Sequence, residues 1–291
     1  MQPGIYPDLD IAKYHKSVGV SKTSLCKLDR APKVFRDYLD NPDAGKKSRS
    51  LTTGSIFHLA MEGAFERDCR VSPEVPDKRC KEWKDFVKAH PNHFCVTPAE
   101  AQTVMNMRSA MLSSEAAREY LTRPGRFEVS YYWLHKLTGT LCKCRPDWIS
   151  ADQTVVIDFK TAADVTEDRF VRDALRYHYH VSAALTVDGI HTITGIRPRY
   201  IFLAIEPHSP HLTSAFEATA DDLRLGRSFI RRNLALLRRC EENGTWPGLP
   251  EEIRALDVQR FLRNMADQYP DDDDTDVDAD ASESLPANYW E

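Results

Sequence analysis

An α/β fold, with helices layered on a central β-sheet, is predicted by three observations on the 291-residue chain. Amphipathic segments with helical spacing come first. Three strand-like segments then follow one another closely. A helix, an apolar strand and a long capped helix complete the order. Strands bracketed in this way fit a sheet covered by helices.

The elements are justified in turn. In GVSKTSLCKLDR, Ser21 suits an N-cap, Leu25 and Leu28 open an apolar stripe, and Pro32 ends or kinks the helix. A second short helix is expected from Pro32 to Leu39. NPDAGKKSRS (41–50) is a loop by composition. In LTTGSIFHLAMEGAFE a helix is expected from about Ser55, with Ile56, Leu59 and Ala60 on one side. Residues 71–98 are rich in proline and charge and enclose a helical piece from Trp83 to Ala89. The next segment is an amphipathic helix capped near Thr97, with Pro98 suited to its first turn. RFEVSYYWLH alternates and reads as one strand. GTLCKCRPDWIS reads as a second, after a turn near Gly139, and TVVIDFKTA as a third. RFVRDALRYHYHVSAALTVDGI reads as one helix, PRYIFLAIEP as a central strand, and the segment after Thr219 as a long helix with an arginine-rich outer face.

Hydrophobic content of 42% and charged content of 29% are ordinary for a globular protein. No apolar run is long enough to span a bilayer, the first residues do not read as a signal peptide, and no membrane partner is expected. Seven cysteines at irregular spacing suit a reduced, cytoplasmic protein. The net charge of −5 conceals an asymmetry: residues 271–291 hold nine acidic side chains and no basic one. Without them 39 basic residues face 35 acidic ones, about +4, a balance compatible with a nucleic-acid partner. Residues 1–265 are therefore expected to form one domain, and 266–291 an acidic, disordered tail.

The third strand carries chemistry. In VVIDFKTA, Asp158 and Lys160 are separated by two positions, so they share one face of a strand otherwise apolar. If the second and third strands form a hairpin, Asp147 can sit beside Asp158. Two close, partly buried carboxylates repel, and a divalent cation relieves this. Oxygen ligands favour magnesium, with manganese able to substitute. Lys160 would place positive charge where a phosphate or an attacking water lies. These are the parts for metal-assisted phosphodiester hydrolysis. An ordinary strand salt bridge is the competing reading of Asp158 and Lys160. Cys142 and Cys144 read as buried strand thiols, since too few further ligands exist for zinc.

Pro146-Asp147, ten intervening residues and then Asp158-Phe159-Lys160 resemble the PD-(D/E)xK nuclease superfamily. GSIFH (54–58) resembles the Gly-x-x-x-His helix motif of its RecB-like branch. The segment GIYPDLDIAKYHKSVGVSKTSLCKL and the later WPGLP look like the RecE-type exonuclease domain, over most of residues 3–250. The resemblance implies a central mixed sheet flanked by helices, with a helical N-terminal part. It makes His58, Asp147, Asp158 and the Phe159 backbone carbonyl metal ligands and Lys160 the residue that orients water or steadies the phosphate. It further implies magnesium-dependent, 5′-to-3′ degradation of linear double-stranded DNA, a homotetramer, and a RecT-like single-strand annealing partner in phage-type recombination. The RecB-like Gln-x-x-x-Tyr motif is not reproduced: the matching positions are Ser182 and Thr186. Tyr179 and His180 lie nearby and are candidates to replace it, against surface or packing roles. Glu128 is a candidate to reach the cation or a simple charge partner, and Glu62, four residues after His58, a candidate to orient it. Lys46, Lys47, Arg49, Arg231 and Arg232 are candidates to hold the DNA backbone, against the reading of a solvated face. The rivals to the exonuclease are a structure-specific endonuclease, a single-strand exonuclease, and a weakly active DNA-binding or partner-recruiting protein.

Overall fold

The computed structural model describes residues 1–41, 53–256 and 259. Lys46, Lys47, Arg49 and the acidic tail lie outside the described residues. Residues Met1–Gly248 form one compact unit. Within Leu249–Glu291, residues 249–256 carry no helix or strand.

The chain opens with strand β1 (Gly4–Tyr6) and helices α1 (Ile11–Lys16), α2 (Lys22–Arg30), α3 (Pro32–Asp40), α4 (Thr53–Glu62) and α5 (Phe65–Asp68). There follow β2 (Cys69–Val71), α6 (Lys81–Ala89), β3 (Phe94–Val96), α7 (Pro98–Ser113) and α8 (Glu115–Leu121). The strands β4 (Gly125–Phe127), β5 (Ser130–Leu134), β6 (Leu141–Cys144), β7 (Trp148–Ser150) and β8 (Val155–Thr161) come next. Helices α9 (Glu167–Arg176) and α10 (Tyr179–Thr194), strands β9 (Arg199–Ile205) and β10 (Thr213–Glu217), and α11 (Ala220–Asn243) complete it. The expected caps hold. Ser21, Thr97 and Thr219 each close a capping box, with Ser24, Glu100 and Asp222 returning the hydrogen bond. As expected, the first helix ends just before Pro32, and Pro32 starts α3, where its missing N–H costs nothing.

The central sheet is mixed, as predicted, with strand order β10-β9-β8-β7-β4. Strands β8 and β9 run parallel, and the other pairings in it are antiparallel. Period-two alternation divides its side chains between two cores. Val155, Ile157, Phe159, Ile201, Leu203 and Ile205 face the layer that contains α4 and α7. Val156, Tyr200, Phe202 and Ala204 face the layer that contains α2, α10 and α11. Burying a residue such as Ile157 or Phe159 stabilises the fold by about 2–3 kcal/mol each. Asp158 lies on the same face as Val156, so a carboxylate occupies a position where burial otherwise favours apolar side chains.

Three predicted elements are corrected. RFEVSYYWLH is two strands, because Glu128 takes a left-handed backbone with φ 55°. GTLCKCRPDWIS is also two strands. Pro146 has no N–H to extend the ladder, and the chain passes there from the sheet β1-β5-β6 into the central one. The two breaks face each other, and the Glu128 N–H donates to the Asp147 carbonyl at 3.0 Å. The expected continuous helix over RFVRDALRYHYH breaks between α9 and α10, where His178 also has φ 55°.

Helices α10 and α11 meet at Gly226. A Cβ there would come within 2.3 Å of the His180 carbonyl oxygen and 2.6 Å of Ala184 Cβ. Alanine gains about 1 kcal/mol of helix propensity over glycine. Forcing two packed backbones apart costs about 1–3 kcal/mol and wins. Gly226→Ala is therefore expected to lower stability, read as a lower urea midpoint. An unchanged or higher midpoint would show that the helix pair yields freely.

Candidate active site

The hairpin that joins β7 to β8 brings the two aspartates together. Its register pairs Trp148 with Ile157 and Ile149 with Val156. Extended by one residue, this sets Asp147 opposite Asp158, and opposite residues of an antiparallel pair share a face. The Asp147 carboxylate accepts a hydrogen bond from the Phe159 N–H at 2.7 Å. Asp158 is 6% exposed. One of its oxygens is in contact with Lys160 Nζ, and the other accepts from the Tyr200 hydroxyl at 2.8 Å.

His58 comes from the opposite layer. A Cβ on Gly54 would lie 2.6 Å from Thr161 Oγ1, so the bare glycine lets the first turn of α4 close on the end of β8. One turn later the His58 Nδ1 stands 3.4 Å from Asp147 Oδ1. The neighbouring Phe57 sets its ring edge-on to Phe159 at 6.1 Å and fixes the helix on the strand. The spacing of Gly54 and His58 is thus a packing requirement followed, one turn on, by the side chain that meets Asp147.

Burial lowers the pKa of His58, but the Asp147 carboxylate outweighs it and holds the imidazole above its ordinary value. Burial raises Asp147, and the facing His58 brings it well below the usual carboxylate range. Burial raises Asp158, and despite Lys160 it stays raised beside Asp147. Lys160 is pulled down by burial yet held above its ordinary value by the two aspartates, so it stays charged.

Among the described residues, no group of three or more His, Cys, Asp or Glu side chains is arranged to hold a metal ion. The expected set of His58, Asp147 and Asp158 is near, but its members face one another and their protein donors. The donor chemistry fits a hard divalent cation nonetheless. Each carboxylate oxygen has two acceptor sites, and the hydrogen bonds leave some of them open. Burial raises Asp158 and the neighbouring Asp147 carboxylate helps keep it raised, and a cation between the two carboxylates would relieve their repulsion. His58, Asp147, Asp158 and the Phe159 carbonyl would hold the cation.

The other candidates divide. The Tyr179 ring lies under Lys160, with Nζ 5.1 Å from its centroid. His180 instead stacks edge-on with His178 at 5.8 Å and makes no contact with the carboxylates. Glu62 faces Arg67 at 3.9 Å and makes no hydrogen bond to His58. Glu128 accepts from Arg145 Nε at 2.6 Å, and Arg145 also donates to the Leu9 carbonyl at 2.8 Å, tying the N-terminal segment to the strand break. Arg232 is engaged by Asp29, and Arg231 is exposed on α11. Ser182 lies 3.4 Å from the Tyr200 hydroxyl, and Thr186 lines the same cavity. Cys142 and Cys144 are buried strand thiols, as expected.

Tyr200 is the residue the sequence reading missed. It sits in a strand read as plain core, and its one polar atom is spent on Asp158. With Lys22, Arg145, Asp147, Asp158 and Lys160 it lines a cavity of about 330 Å³. Four of these six can donate through nitrogen or a phenol, and two are carboxylates. This is suited to an anionic ligand approached by a cation.

Burial, then the nearby Asp147, pushes the Glu128 carboxyl from 4.5 up to about 7, against the Arg145 pair. The folded protein therefore binds a proton there that the unfolded chain has lost. Stability from this group is fullest below about pH 4.5 and declines as pH rises towards 7, by up to about 1.4 kcal/mol per pH unit for one proton. Glu128→Gln should flatten that part of the urea-measured stability profile between pH 5 and 7 in EDTA. An unchanged slope would remove Glu128 as its source.

Among known proteins, a family model described as a PDDEXK-like domain of unknown function (DUF3799) matches residues 21–259. No curated protein matches the chain. The crystal structure of the protein named "Putative exonuclease" from Eubacterium rectale is 14% identical, covers 97% of both chains and superposes with a TM-score of 0.61. The likeness is one of fold. The structure of SSO0001, 11% identical over 78% of this chain and 87% of its own, has a TM-score of 0.29 and adds nothing to the fold assignment. With the mixed sheet, the Pro146-Asp147 break and the Asp158-Phe159-Lys160 strand all falling inside the matched span, the chain belongs to the PDDEXK-like family DUF3799.

Proposed function

We propose that this protein is a magnesium-dependent exodeoxyribonuclease that degrades linear double-stranded DNA from 5′ to 3′ and leaves 3′ single-stranded overhangs. The observation that carries the nuclease reading is Asp147 set opposite Asp158 with Lys160 on the same strand face, His58 closing the set at 3.4 Å. Bound magnesium, replaceable by manganese, would offset negative charge as it builds on the phosphate. The aspartates and His58 would bind and orient it. Lys160 holds a positive charge toward the cavity, where it steadies a phosphate or orients the attacking water. Tyr200 fixes the Asp158 carboxylate. The exonuclease name of the Eubacterium rectale protein supports reading the fold as end-dependent.

Polarity, a ring-shaped homotetramer and a RecT-like annealing partner extend this proposal and rest on the RecE-type resemblance of the N-terminal segment. The test uses linear duplex labelled at either 5′ or 3′ ends, beside a covalently closed circle, in magnesium or EDTA. Early release of 5′ label from linear DNA, in magnesium alone, is expected. Nicking of the circle would make the protein an endonuclease. Tight binding without any cleavage would make it a DNA-binding protein.

A further inference from the structure

We infer that Tyr177 and Tyr179 form a stacking site for an unpaired nucleobase next to the scissile phosphate. The inference rests on the nuclease reading above and adds a specificity element beside the cavity, reached through the contact of Tyr179 with Lys160. Two residues apart on an unbroken helix, these rings would point in different directions. The left-handed His178 between them breaks the helix and brings them face to face, with centroids 6.0 Å apart and planes inclined by 27°. Tyr179 stacks in turn on Phe202, at 5.6 Å and 27°. The row begins at the catalytic lysine, since Lys160 Nζ lies over both Tyr179 and Phe202, and it ends at Tyr177, which is 46% exposed.

The kink is held in place. A left-handed conformation costs a residue with a side chain roughly 1–2 kcal/mol, and such strain collects at functional sites. Lys22, which lines the active cavity, donates to the Tyr177 carbonyl at 2.6 Å and clamps the turn. Packing alone explains Tyr179, which is partly buried against the core. It does not explain Tyr177, whose ring burial would be served as well by a polar residue at the surface. The exposed Arg176 guanidinium lies 5.4 Å from the Tyr177 centroid. A guanidinium over an exposed ring places positive charge at a π-surface, and a base and its phosphate can use both. Every base has a π-face, so such a site tolerates sequence but demands that the base be unpaired. The rings would thus take hold of a nucleotide as it leaves the duplex, one step from Lys160.

The test is a two-by-two comparison of binding in EDTA, read by fluorescence anisotropy. Wild type and Tyr177→Ala are each titrated with a duplex bearing a short unpaired end, and with the same duplex carrying abasic sites in that end. On the normal end, Tyr177→Ala is expected to bind about 10-fold more weakly, from the usual worth of one base–aromatic stack. On the abasic end the two proteins should bind alike, and Tyr177→Trp should retain wild-type affinity on the normal one. Equal loss on both ends would place Tyr177 in backbone contact or folding and overturn the stacking site. So would no loss on either. If wild type binds neither DNA, the stacking site is overturned, whereas the nuclease reading is overturned separately, by the absence of label release from linear duplex in magnesium.

Discussion

Asp158→Ala and Lys160→Ala are each expected to abolish magnesium-dependent hydrolysis of linear duplex DNA, with rates falling by about 10³-fold or more. Removing one preorganised charge-stabilising group from an active site typically costs about 10²–10³ in rate, and in the proposed mechanism Asp158 would also bind and orient the cation. The fold should survive both changes. Asp158→Ala removes a buried acid whose burial already raises its pKa. Lys160→Ala leaves Asp158 with the Tyr200 hydroxyl, and a buried carboxyl without its cation takes up a proton rather than staying charged. Circular dichroism and a urea midpoint establish folding, and label release from linear duplex measures rate. Near-normal cleavage by either folded variant would take that residue out of the mechanism. It would leave Asp158 and Lys160 as an ordinary strand salt bridge.

What the sequence made legible is what is local. The hairpin of β7 and β8, the shared face of Asp158 and Lys160, and the three capping boxes all depend on spacings of a few residues. His58 was reachable through Gly54, although the reason for that glycine, the approach of α4 to Thr161, appears only in three dimensions. The rest was hidden by its range. The breaks at Glu128 and Pro146 lie opposite each other; Pro146 is a break signal that the sequence carries, whereas Glu128 sits unmarked in a strand that otherwise alternates. The same holds for the N-terminal segment. Lys143 is buried and donates to the Tyr14 and Ser17 carbonyls at 2.8 and 2.7 Å, more than 120 residues away in the chain. A lysine inside an LCKCRP strand gives no hint of such partners. Glu62 failed for a related reason. Four-residue spacing puts it on the same helix face as His58, but Arg67 takes its carboxylate instead.

Tyr200→Phe is expected to lower activity about 10- to 100-fold at limiting magnesium, the usual cost of losing a group that orients a metal ligand. Tyr200 stands on β9, where its Cα is paired with Val156, and its phenol reaches the Asp158 carboxylate two residues further along β8. Phenylalanine keeps the ring and the packing and removes one donor, so the fold has little reason to change. Asp158 then loses a hydrogen bond to its charged form, in a site where burial already favours the proton. Two consequences follow that a packing role would not produce. The magnesium activation curve should shift to higher concentration while the rate at saturation recovers in part. The acid limb of the pH–rate profile should move upward, because Asp158 must shed its proton before it can hold a cation. If the variant loses rate at every magnesium concentration and every pH by the same factor, Tyr200 supports the strand rather than the carboxylate. If it loses nothing, Lys160 alone suffices to hold Asp158 in place. Should both shifts appear, the hydroxyl that the RecB-like pattern would lead one to seek on the helix after β8 is supplied here from the neighbouring strand, with Ser182 3.4 Å from that hydroxyl at the helix position that departs from the pattern.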